Sequence, residues 1–277
     1  PDNRLLTLPA GDARPVIPIQ PWEPETVLIP AGRFLMGTGQ GTGAPAWELP
    51  QQLFSLPGYR LSKYPITNAQ YLAFARERRI AVAAETGWPL ARVGREPPPG
   101  RENHPVVGIT WDDAVAYCQW LRDKTGRRYR LPNEAEWEKA ARGAAVSPEQ
   151  ARTYPWGNCF EPHRCNCAEA GQHDTTPVGS YSPQGDSPYG CADMAGNVWE
   201  WTSTRWGAER SRPHYAPPYD AGDGRENPQQ DEPFREYRVL RGGSYQDSAD
   251  RVTCTVRGRD AANTNHPRRG FRIAMDI

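Results

Sequence analysis

The feature that most constrains the fold is a stretch of roughly a hundred residues after Gly143 in which no helical period is found. Large aromatic residues nevertheless recur in this region and must bury wide apolar areas: Trp156, Trp199, Trp201, Trp206 and Tyr245. The chain also contains 26 Gly and 29 Pro residues, which favour turns and irregular backbone. We therefore expect a compact, loop-rich second half that is held together by interactions other than helix packing.

Before Gly143, capping residues and apolar spacing predict three helices. Asp113 follows Thr110 by three residues, which is the spacing of a capping box at the start of the second helix. The third helix begins with the same spacing, between Asn133 and Glu136. The predicted limits are a start near Thr67 or Asn68 for the first helix, Thr110 to Gly126 for the second, and Asn133 to Gly143 for the third.

Short strands are predicted near both ends of the chain. Two β-like runs lie between residues 27 and 37, on either side of a Pro-Ala-Gly turn. Two more, at 238–241 and 270–274, are expected to pair as neighbours in a small antiparallel sheet. Residues 1–26 are rich in Pro and polar residues and have no period, so we interpret them as an extended N-terminal segment before a single domain at 27–277.

Charge and composition exclude several classes of partner. The formal net charge is zero, so the sequence lacks the basic footprint of a protein that neutralises many phosphates, and we expect no nucleic-acid partner. No stretch approaches the roughly 20 apolar residues needed to span a bilayer, and the first residues lack a signal-peptide pattern. Six cysteines are few for a disulfide framework in a chain of 277 residues. We therefore expect no membrane association and a cytoplasmic location.

An ordered series of short motifs runs through the predicted domain. In chain order they include Ile29-Pro30-Ala31-Gly32, Tyr64-Pro65-Ile66-Thr67-Asn68, Arg130-Leu131-Pro132-Asn133-Glu134, Gly196-Asn197-Val198-Trp199-Glu200-Trp201, Arg241-Gly242-Gly243-Ser244-Tyr245 and Gly270-Phe271-Arg272. In this order the motifs resemble those of the formylglycine-generating enzyme family, over residues 27–277. The resemblance implies an α+β, C-type-lectin-like fold with little regular secondary structure, in which bound calcium supports the loops.

Two carboxylates that bracket a Gly-containing turn make residues 193–200 a candidate calcium loop. By the resemblance, Asp193 and Glu200 would bind the ion through their carboxylates. Gly196 and Val198 would bind it through backbone oxygens. The alternative is that the two carboxylates only accept hydrogen bonds from loop amides.

The resemblance also implies a second calcium site. It would begin at the side chain of Asn166 and the carbonyl of Cys167. Its other ligands would lie between residues 169 and 174, where this chain departs from the family pattern.

A cluster of cysteines in the same region raises zinc binding as another interpretation. The residues are Cys159, Cys165, Cys167, Cys191, His163 and His173. Their spacing is not that of paired Cys-x-x-Cys units, and we expect the two thiols of the Cys-x-Cys pair to point to opposite sides of the backbone. We therefore expect these cysteines to pack as small apolar groups rather than to bind zinc.

The chemistry of the family depends on two cysteines that this chain lacks. Active members bind copper(I) through a cysteine pair shortly after the Gly-Gly-Ser-Tyr motif, and soft thiolates suit this ion as carboxylates and hydroxyls do not. Residues 245–254 contain a single cysteine, Cys254. We therefore predict that the protein binds no copper and is not an enzyme. Two alternatives remain: an oxidase of the same family in which Cys254 or the cysteines at 159–167 replace the pair, and a structural module of a larger signalling protein.

The segment from Tyr245 to Asn265 is the predicted ligand surface. It alternates short polar residues with Arg in expected loops, which suits recognition of an unidentified protein or small-molecule ligand. The candidate residues are Tyr245, Asp247, Ser248, Asp250, Thr253, Thr255, Arg257, Arg259, Asp260, Asn263, Thr264 and Asn265. The segment also resembles the variable region of diversity-generating retroelement proteins, which place a hypervariable ligand site on this fold. The alternative is that these residues belong to ordinary solvated loops.

Overall fold

The computed structural model describes residues 20, 22–78, 99–227 and 236–277. Within these ranges the α-helices are α1 Asn68–Arg78, α2 Trp111–Thr125 and α3 Glu134–Arg142. The strands are β1 Thr26–Ile29, β2 Gly32–Met36, β3 Gln52–Leu56, β4 Tyr59–Ser62, β5 Tyr129–Arg130, β6 Trp199–Gly207, β7 Tyr237–Arg241, β8 Gly258–Ala261, β9 Arg269–Phe271 and β10 Ala274–Asp276. The described residues after α3 contain strands and short 3-10 turns but no α-helix, as the missing helical period predicts. None of the described helices is long and apolar enough to cross a membrane.

The predicted helix starts are confirmed, and capping boxes define two of them. Thr110 accepts a hydrogen bond from the backbone N–H of Asp113, whose carboxylate accepts one from the Thr110 N–H at 2.8 Å. Asn133 and Glu136 exchange the same pair of bonds, at 2.8 and 2.9 Å. Gly126 ends α2 in the left-handed conformation, with a φ of 68°. Local sequence is therefore sufficient to set these helix ends.

Two four-stranded sheets and a separate hairpin contain the strands. The first sheet has the order β1-β4-β10-β5, so strands from the two ends of the described chain flank β4. β2 and β3 form the hairpin, and the second sheet has the order β8-β7-β6-β9. Every pair of these strands is antiparallel except β6 with β9, which is parallel. This mixture of short strands and few helices is the α+β class that the sequence predicts.

The predicted pairing of the two C-terminal strands is wrong. The strand at 238–241 is β7, but 270–274 is divided between β9 and β10, which lie in different sheets. β6 lies between β7 and β9. Almost the whole length of β6 is buried, although its residues are mostly polar after Trp201. Apolar and polar residues alternate only from Trp199 to Thr202, so the strand lacks the sustained alternation of a half-exposed strand. A strand without this alternation is not detected from its sequence pattern.

An aromatic cluster joins α1 and α2 to the second sheet. The ring centroid of Tyr117 in α2 lies 5.6 Å from that of Phe74 in α1 and 5.4 Å from that of Phe271 in β9. Tyr71 stacks on Tyr117 at 5.9 Å. Such ring pairs add to the free energy gained by burying apolar area. The cluster therefore fixes β9, the neighbour of β6, against the helical half of the domain.

The N-terminal segment predicted at 1–26 lies mostly outside the described residues. Its described end packs on the domain, because the ring of Trp22 lies 5.2 Å from that of Trp120. The Glu23 carboxylate is buried and accepts a hydrogen bond from the Tyr129 hydroxyl at 2.5 Å. Packing thus begins before the predicted domain start.

Buried charges connect the loop-rich half to α3, which is buried along its whole length. Each of its three glutamates forms an ion pair with an arginine from another element or loop: Glu134 with Arg257, Glu136 with Arg130, and Glu138 with Arg241. A buried carboxylate requires such a partner, because water no longer solvates its charge. The pairs with Arg257 and Arg241 attach the second half of the chain to α3, whereas Arg130 belongs to β5 in the first half.

Candidate functional site

The Gly-Gly-Ser turn after β7 organises the C-terminal segment. Gly243 has a φ of 75°, and a Cβ atom there would lie 2.6 Å from the carbonyl oxygen of Arg251. Asp247 closes the turn, because its Oδ2 atom accepts hydrogen bonds from the Ser244 N–H at 3.0 Å and the Ser244 hydroxyl at 2.5 Å. The same oxygen accepts a third bond, from the indole N–H of Trp199 at 2.9 Å. The Asp247 side chain is therefore held in place by the turn.

Cys254, the one cysteine of the segment after the turn, is fully buried. Burial raises the pKa of its thiol to about 12, so the thiol stays protonated at neutral pH. Its backbone N–H donates to the carbonyl of Thr153 at 2.8 Å, and its carbonyl accepts from the guanidinium of Arg241 at 3.0 Å. Cys254 thus packs as a small apolar group on a fixed backbone.

Nine of the twelve predicted ligand residues are exposed or half-buried: Asp247, Ser248, Asp250, Thr253, Thr255, Arg259, Asn263, Thr264 and Asn265. The other three are buried, and two of them form ion pairs. The guanidinium of Arg257 donates to both carboxylate oxygens of Glu134, at 2.7 and 2.9 Å, and Asp260 pairs with Arg269. Tyr245 is also buried. The structure therefore corrects the predicted surface at these three positions, because tertiary contacts turn their side chains inward.

A cavity of about 260 Å³ opens beside Trp199, and Asp247 and Arg259 are the predicted ligand residues that line it. Its other lining residues are Trp199, Arg210, Leu240, Arg251, Gly258, His266, Arg268 and Arg269. We call this cavity the arginine pocket, after its five arginines. Between residues 241 and 272 the sequence contains seven arginines and three aspartates, although the whole chain is neutral. Four of these seven arginines line the pocket, and the other three pair with buried glutamates. The local excess of arginine therefore marks the region but does not identify the residues of the pocket.

The first predicted calcium loop folds around a buried carboxylate. Asp193 has a φ of 54° and accepts a hydrogen bond from the Gly179 N–H at 2.7 Å, and burial raises its pKa to about 6. Glu200 is already engaged: Arg272 donates to both of its oxygens, at 2.6 and 2.7 Å, and the indole of Trp137 donates to one of them at 2.7 Å. The Asp193 carboxylate therefore fits a cation, whereas Glu200 would have to share its oxygens with Arg272.

The two predicted calcium segments lie side by side. The Asn197 N–H donates to the Asn166 carbonyl at 2.7 Å, and a Cβ atom on Gly196 would lie 2.1 Å from the same oxygen. The carbonyl of Gly196 accepts from the Val198 N–H at 2.9 Å, and that of Cys167 closes a short turn. The side-chain Oδ1 atom of Asn166 is buried without a hydrogen-bond partner among the described residues, which suits a hard-cation ligand. The described residues contain no group of three or more His, Cys, Asp or Glu that could hold a metal, so a calcium ion here would depend on amide and carbonyl oxygens.

The predicted direction of the Cys165 and Cys167 thiols is wrong. The two thiols lie close enough to interact, and this interaction raises the pKa of Cys165 and lowers that of Cys167. Cys165 and Cys167 both have extended backbone, with φ of -152° and -136°. Side chains two residues apart on extended backbone lie on the same side, so the spacing itself brings the two thiols together. Cys191 belongs to a different buried cluster, and Cys159 is exposed. The structure therefore brings together two of the four candidate cysteines.

Comparison with known proteins identifies the family. Residues 15–277 match the family described as the sulfatase-modifying factor enzyme 1-like domain. The chain belongs to this family. The inactive Cα-formylglycine-generating enzyme 2 of Bos taurus is 32% identical over 298 residues, which cover 90% of this chain and 87% of the relative. The formylglycine-generating enzyme of Streptomyces coelicolor is 33% identical over 306 residues, which cover 90% of this chain and 88% of the relative.

Solved structures have the same fold as this member of the sulfatase-modifying factor family. PvdO from Pseudomonas aeruginosa is 26% identical with a TM-score of 0.71, and the match covers 93% of this chain and 96% of PvdO. Treponema denticola variable protein 1 is 20% identical with a TM-score of 0.66, and the match covers 91% of this chain and 95% of that protein. These matches confirm the family resemblance and the C-type-lectin-like fold that the motif order predicts.

Proposed function

We propose that this member of the sulfatase-modifying factor family is a non-catalytic protein that binds a ligand at its C-terminal face. By this face we mean the exposed side chains of residues 245–265 together with the arginine pocket. The observation that carries the proposal is the chemistry after the Gly-Gly-Ser turn, where Asp247 is tied into the turn and the single thiol, Cys254, is buried and protonated. Monovalent copper prefers soft thiolate ligands, and the sequence between these two residues contains none. The same face presents polar side chains around a pocket, which supports binding rather than oxidation.

The relatives alone do not decide between binding and oxidation. The inactive bovine relative and the formylglycine-generating enzyme of Streptomyces coelicolor are almost equally similar to this chain, at 32% and 33% identity. An activity depends on the residues of the site rather than on the fold. The side chains after the Gly-Gly-Ser turn therefore carry more weight than the overall identity.

Incubation of the protein with copper and a peptide that contains Cys-x-Pro-x-Arg is expected to give no aldehyde product. The reason is that the buried Cys254 offers copper one protonated thiol instead of two adjacent thiolates. Mass spectrometry of the peptide with an aldehyde-trapping reagent measures the outcome. The Streptomyces coelicolor enzyme, assayed in parallel, must convert the peptide. Conversion by this protein above a protein-free control would overturn the proposed function.

A copper-dependent oxidase is the second candidate function, and the proximity of the Cys165 and Cys167 thiols favours it. If these thiols replace the family pair, the aldehyde product appears and is lost in both Cys165→Ser and Cys167→Ser. The exposed Cys159 provides a matched control, because Cys159→Ser would keep the activity. Activity that survives all three substitutions would exclude this thiol pair as the oxidation site.

We further propose that part of the C-terminal segment varies between related copies of the coding sequence. The likeness to Treponema denticola variable protein 1 is one of fold, so the proposal depends on which side chains are free to change. Eight of the nine exposed or half-buried candidates tolerate substitution more readily than Arg257, which is paired with Glu134 in the interior. The exception is Asp247, whose carboxylate closes the Gly-Gly-Ser turn. A second genomic copy of the stretch for residues 240–273 that differs at adenines would support the proposal, and a single invariant copy would contradict it.

We propose that a calcium ion supports the two loops around Asp193 and Asn166. The Asp193 carboxylate is buried, the Asn166 side-chain oxygen has no hydrogen-bond partner among the described residues, and the two segments are adjacent. Removing calcium with a chelator is expected to lower Tm by about 5–10 °C. An ion at a hundred times its Kd adds about 2.7 kcal/mol, and each kcal/mol shifts Tm by about 2–4 °C at this size. Calorimetry with chelator and with added calcium measures the shift.

The calcium proposal also predicts which variants lose the response. Asp193→Ala and Asn166→Ala are expected to remove the dependence of Tm on calcium. Asp220→Ala changes an exposed loop carboxylate and is expected to keep it. An unaltered protein whose Tm is the same with chelator and with calcium would contradict the proposal.

A further inference from the structure

The arginine pocket is a small cavity with an unusual lining. Its volume is about 260 Å³, slightly below the roughly 300–1,000 Å³ of pockets that hold drug-sized molecules. Trp199, Leu240 and Gly258 form an apolar part of its wall. A Cβ atom on Gly258 would lie 2.7 Å from the Trp199 ring, so glycine permits this close packing. The cavity therefore suits a compact ligand.

Aromatic rings hold two of the pocket arginines in place. The guanidinium of Arg259 lies 4.9 Å from the ring centroid of Trp47 and 4.9 Å from that of Trp206. Arg251 lies 5.5 Å from the ring of Trp199. A planar guanidinium supported by a ring face is oriented before a ligand arrives, which lowers the entropy cost of binding.

Two further pocket arginines lie on a hydrogen-bonded turn. The backbone N–H of Arg269 donates to the carbonyl of His266 at 3.0 Å, and that of Arg268 donates to the His266 ring nitrogen Nδ1 at 3.3 Å. The His266 carbonyl also accepts from the Gly108 N–H at 3.1 Å, which fastens the turn to a neighbouring loop. These bonds fix the backbone from which the two arginine side chains extend toward the pocket.

The positive charge of the pocket exceeds its nearby negative charge. Asp260 neutralises Arg269, and Asp247 is engaged by the Gly-Gly-Ser turn. Arg210, Arg251 and Arg268 form no ion pair with a carboxylate among the described residues. The positive charges around the cavity repel one another, and an anion bound between them would relieve the repulsion.

We propose that the arginine pocket binds a compact oxyanion, which is a phosphate or carboxylate group of a small ligand. Guanidiniums present paired N–H donors that match the geometry of such oxyanions, and bonds of this kind are stronger than neutral hydrogen bonds. The inference rests on the proposed binding function, because it names the ligand class for the same C-terminal face.

Titration calorimetry of the full chain with pyrophosphate and, separately, with citrate tests the inference. At least one of the two is expected to bind with one ion per chain, and its affinity is expected to fall as sodium chloride is added. A higher affinity for pyrophosphate would indicate a phosphate ligand, and a higher affinity for citrate would indicate a carboxylate ligand. Neutral glycerol, which offers oxygens without charge, is expected not to compete.

Matched arginine variants locate the binding. Arg268→Gln and Arg210→Gln are each expected to weaken the affinity about tenfold, because each removes a charge-assisted hydrogen bond. Arg212→Gln makes the same change two positions from Arg210, at an exposed residue outside the pocket lining, and is expected to bind as the unaltered protein does. Thermal unfolding of each variant establishes that it is folded.

The inference is overturned if neither anion binds, or if Arg212→Gln weakens binding as much as the two pocket variants do. Either result leaves the proposed binding function in place, since a ligand of another class would still use this face. Aldehyde formation in the copper assay would instead remove the binding function, whatever the anion titrations show. The two failures are therefore distinguishable.

Discussion

Replacement of Glu138 by glutamine is expected to lower the free energy of unfolding by about 3–5 kcal/mol. The Oε1 atom of Glu138 accepts hydrogen bonds from the Gly37 N–H at 2.7 Å and from Arg142 at 2.8 Å. Its Oε2 atom accepts from Arg241 at 2.5 Å. All three charged side chains are almost fully buried. Glutamine keeps the shape of the side chain but leaves two buried guanidiniums without the carboxylate that neutralises them.

Urea unfolding followed by tryptophan fluorescence measures this loss. Glu209→Gln, which makes the same change at an exposed position, is expected to leave the midpoint of unfolding unchanged. A loss below about 1 kcal/mol for Glu138→Gln, which is the size of a single neutral hydrogen bond, would show that carbonyl oxygens alone satisfy the two arginines.

Replacement of Arg257 by methionine is expected to lower the free energy of unfolding by about 3 kcal/mol, near the lower end of the range for breaking a buried pair. The variant would leave the buried Glu134 carboxylate without its bidentate partner. Arg225 lies 3.9 Å from the same carboxylate and offsets part of the loss. The expected effect is therefore on stability, although the sequence places Arg257 in the ligand surface.

Arg259 provides the matched control for Arg257. Its side chain is half-buried, lines the arginine pocket and lies against Trp47 and Trp206. Arg259→Met is expected to cost about 1 kcal/mol or less of stability, from the lost cation-π contacts, and to weaken anion binding. The result that would contradict this assignment is a stable Arg257→Met variant that no longer binds the anion.

Several elements follow directly from the residues that form them. The capping box at Thr110 and that at Asn133 depend on side chains within one turn of the backbone they cap, so their spacing predicts both helix starts. The motif order is equally local, because each motif is read from adjacent residues, and it predicts the family that the comparisons show. The buried Trp137 and Ala140 of α3 follow from helical spacing in the same way.

Other features of the site depend on contacts between distant residues. β6 alternates apolar and polar residues only from Trp199 to Thr202, and its place between β7 and β9 depends on the partners that bury it on both sides. The residues that line the arginine pocket come from separate positions between Trp199 and Arg269, and only the fold makes them neighbours.

The sequence by itself determined the helix ends, the family and the absence of a cysteine pair after the Gly-Gly-Ser turn, because each depends on residue types and short spacings. Only the tertiary structure decided which polar residues of the C-terminal segment face solvent and which, like Arg257, neutralise an interior charge. The physical reason is that an arginine has the same local signature in both settings. Its role is set by whether the fold brings a carboxylate to it, as Glu134 is brought to Arg257, or leaves it beside an open cavity, as with Arg268.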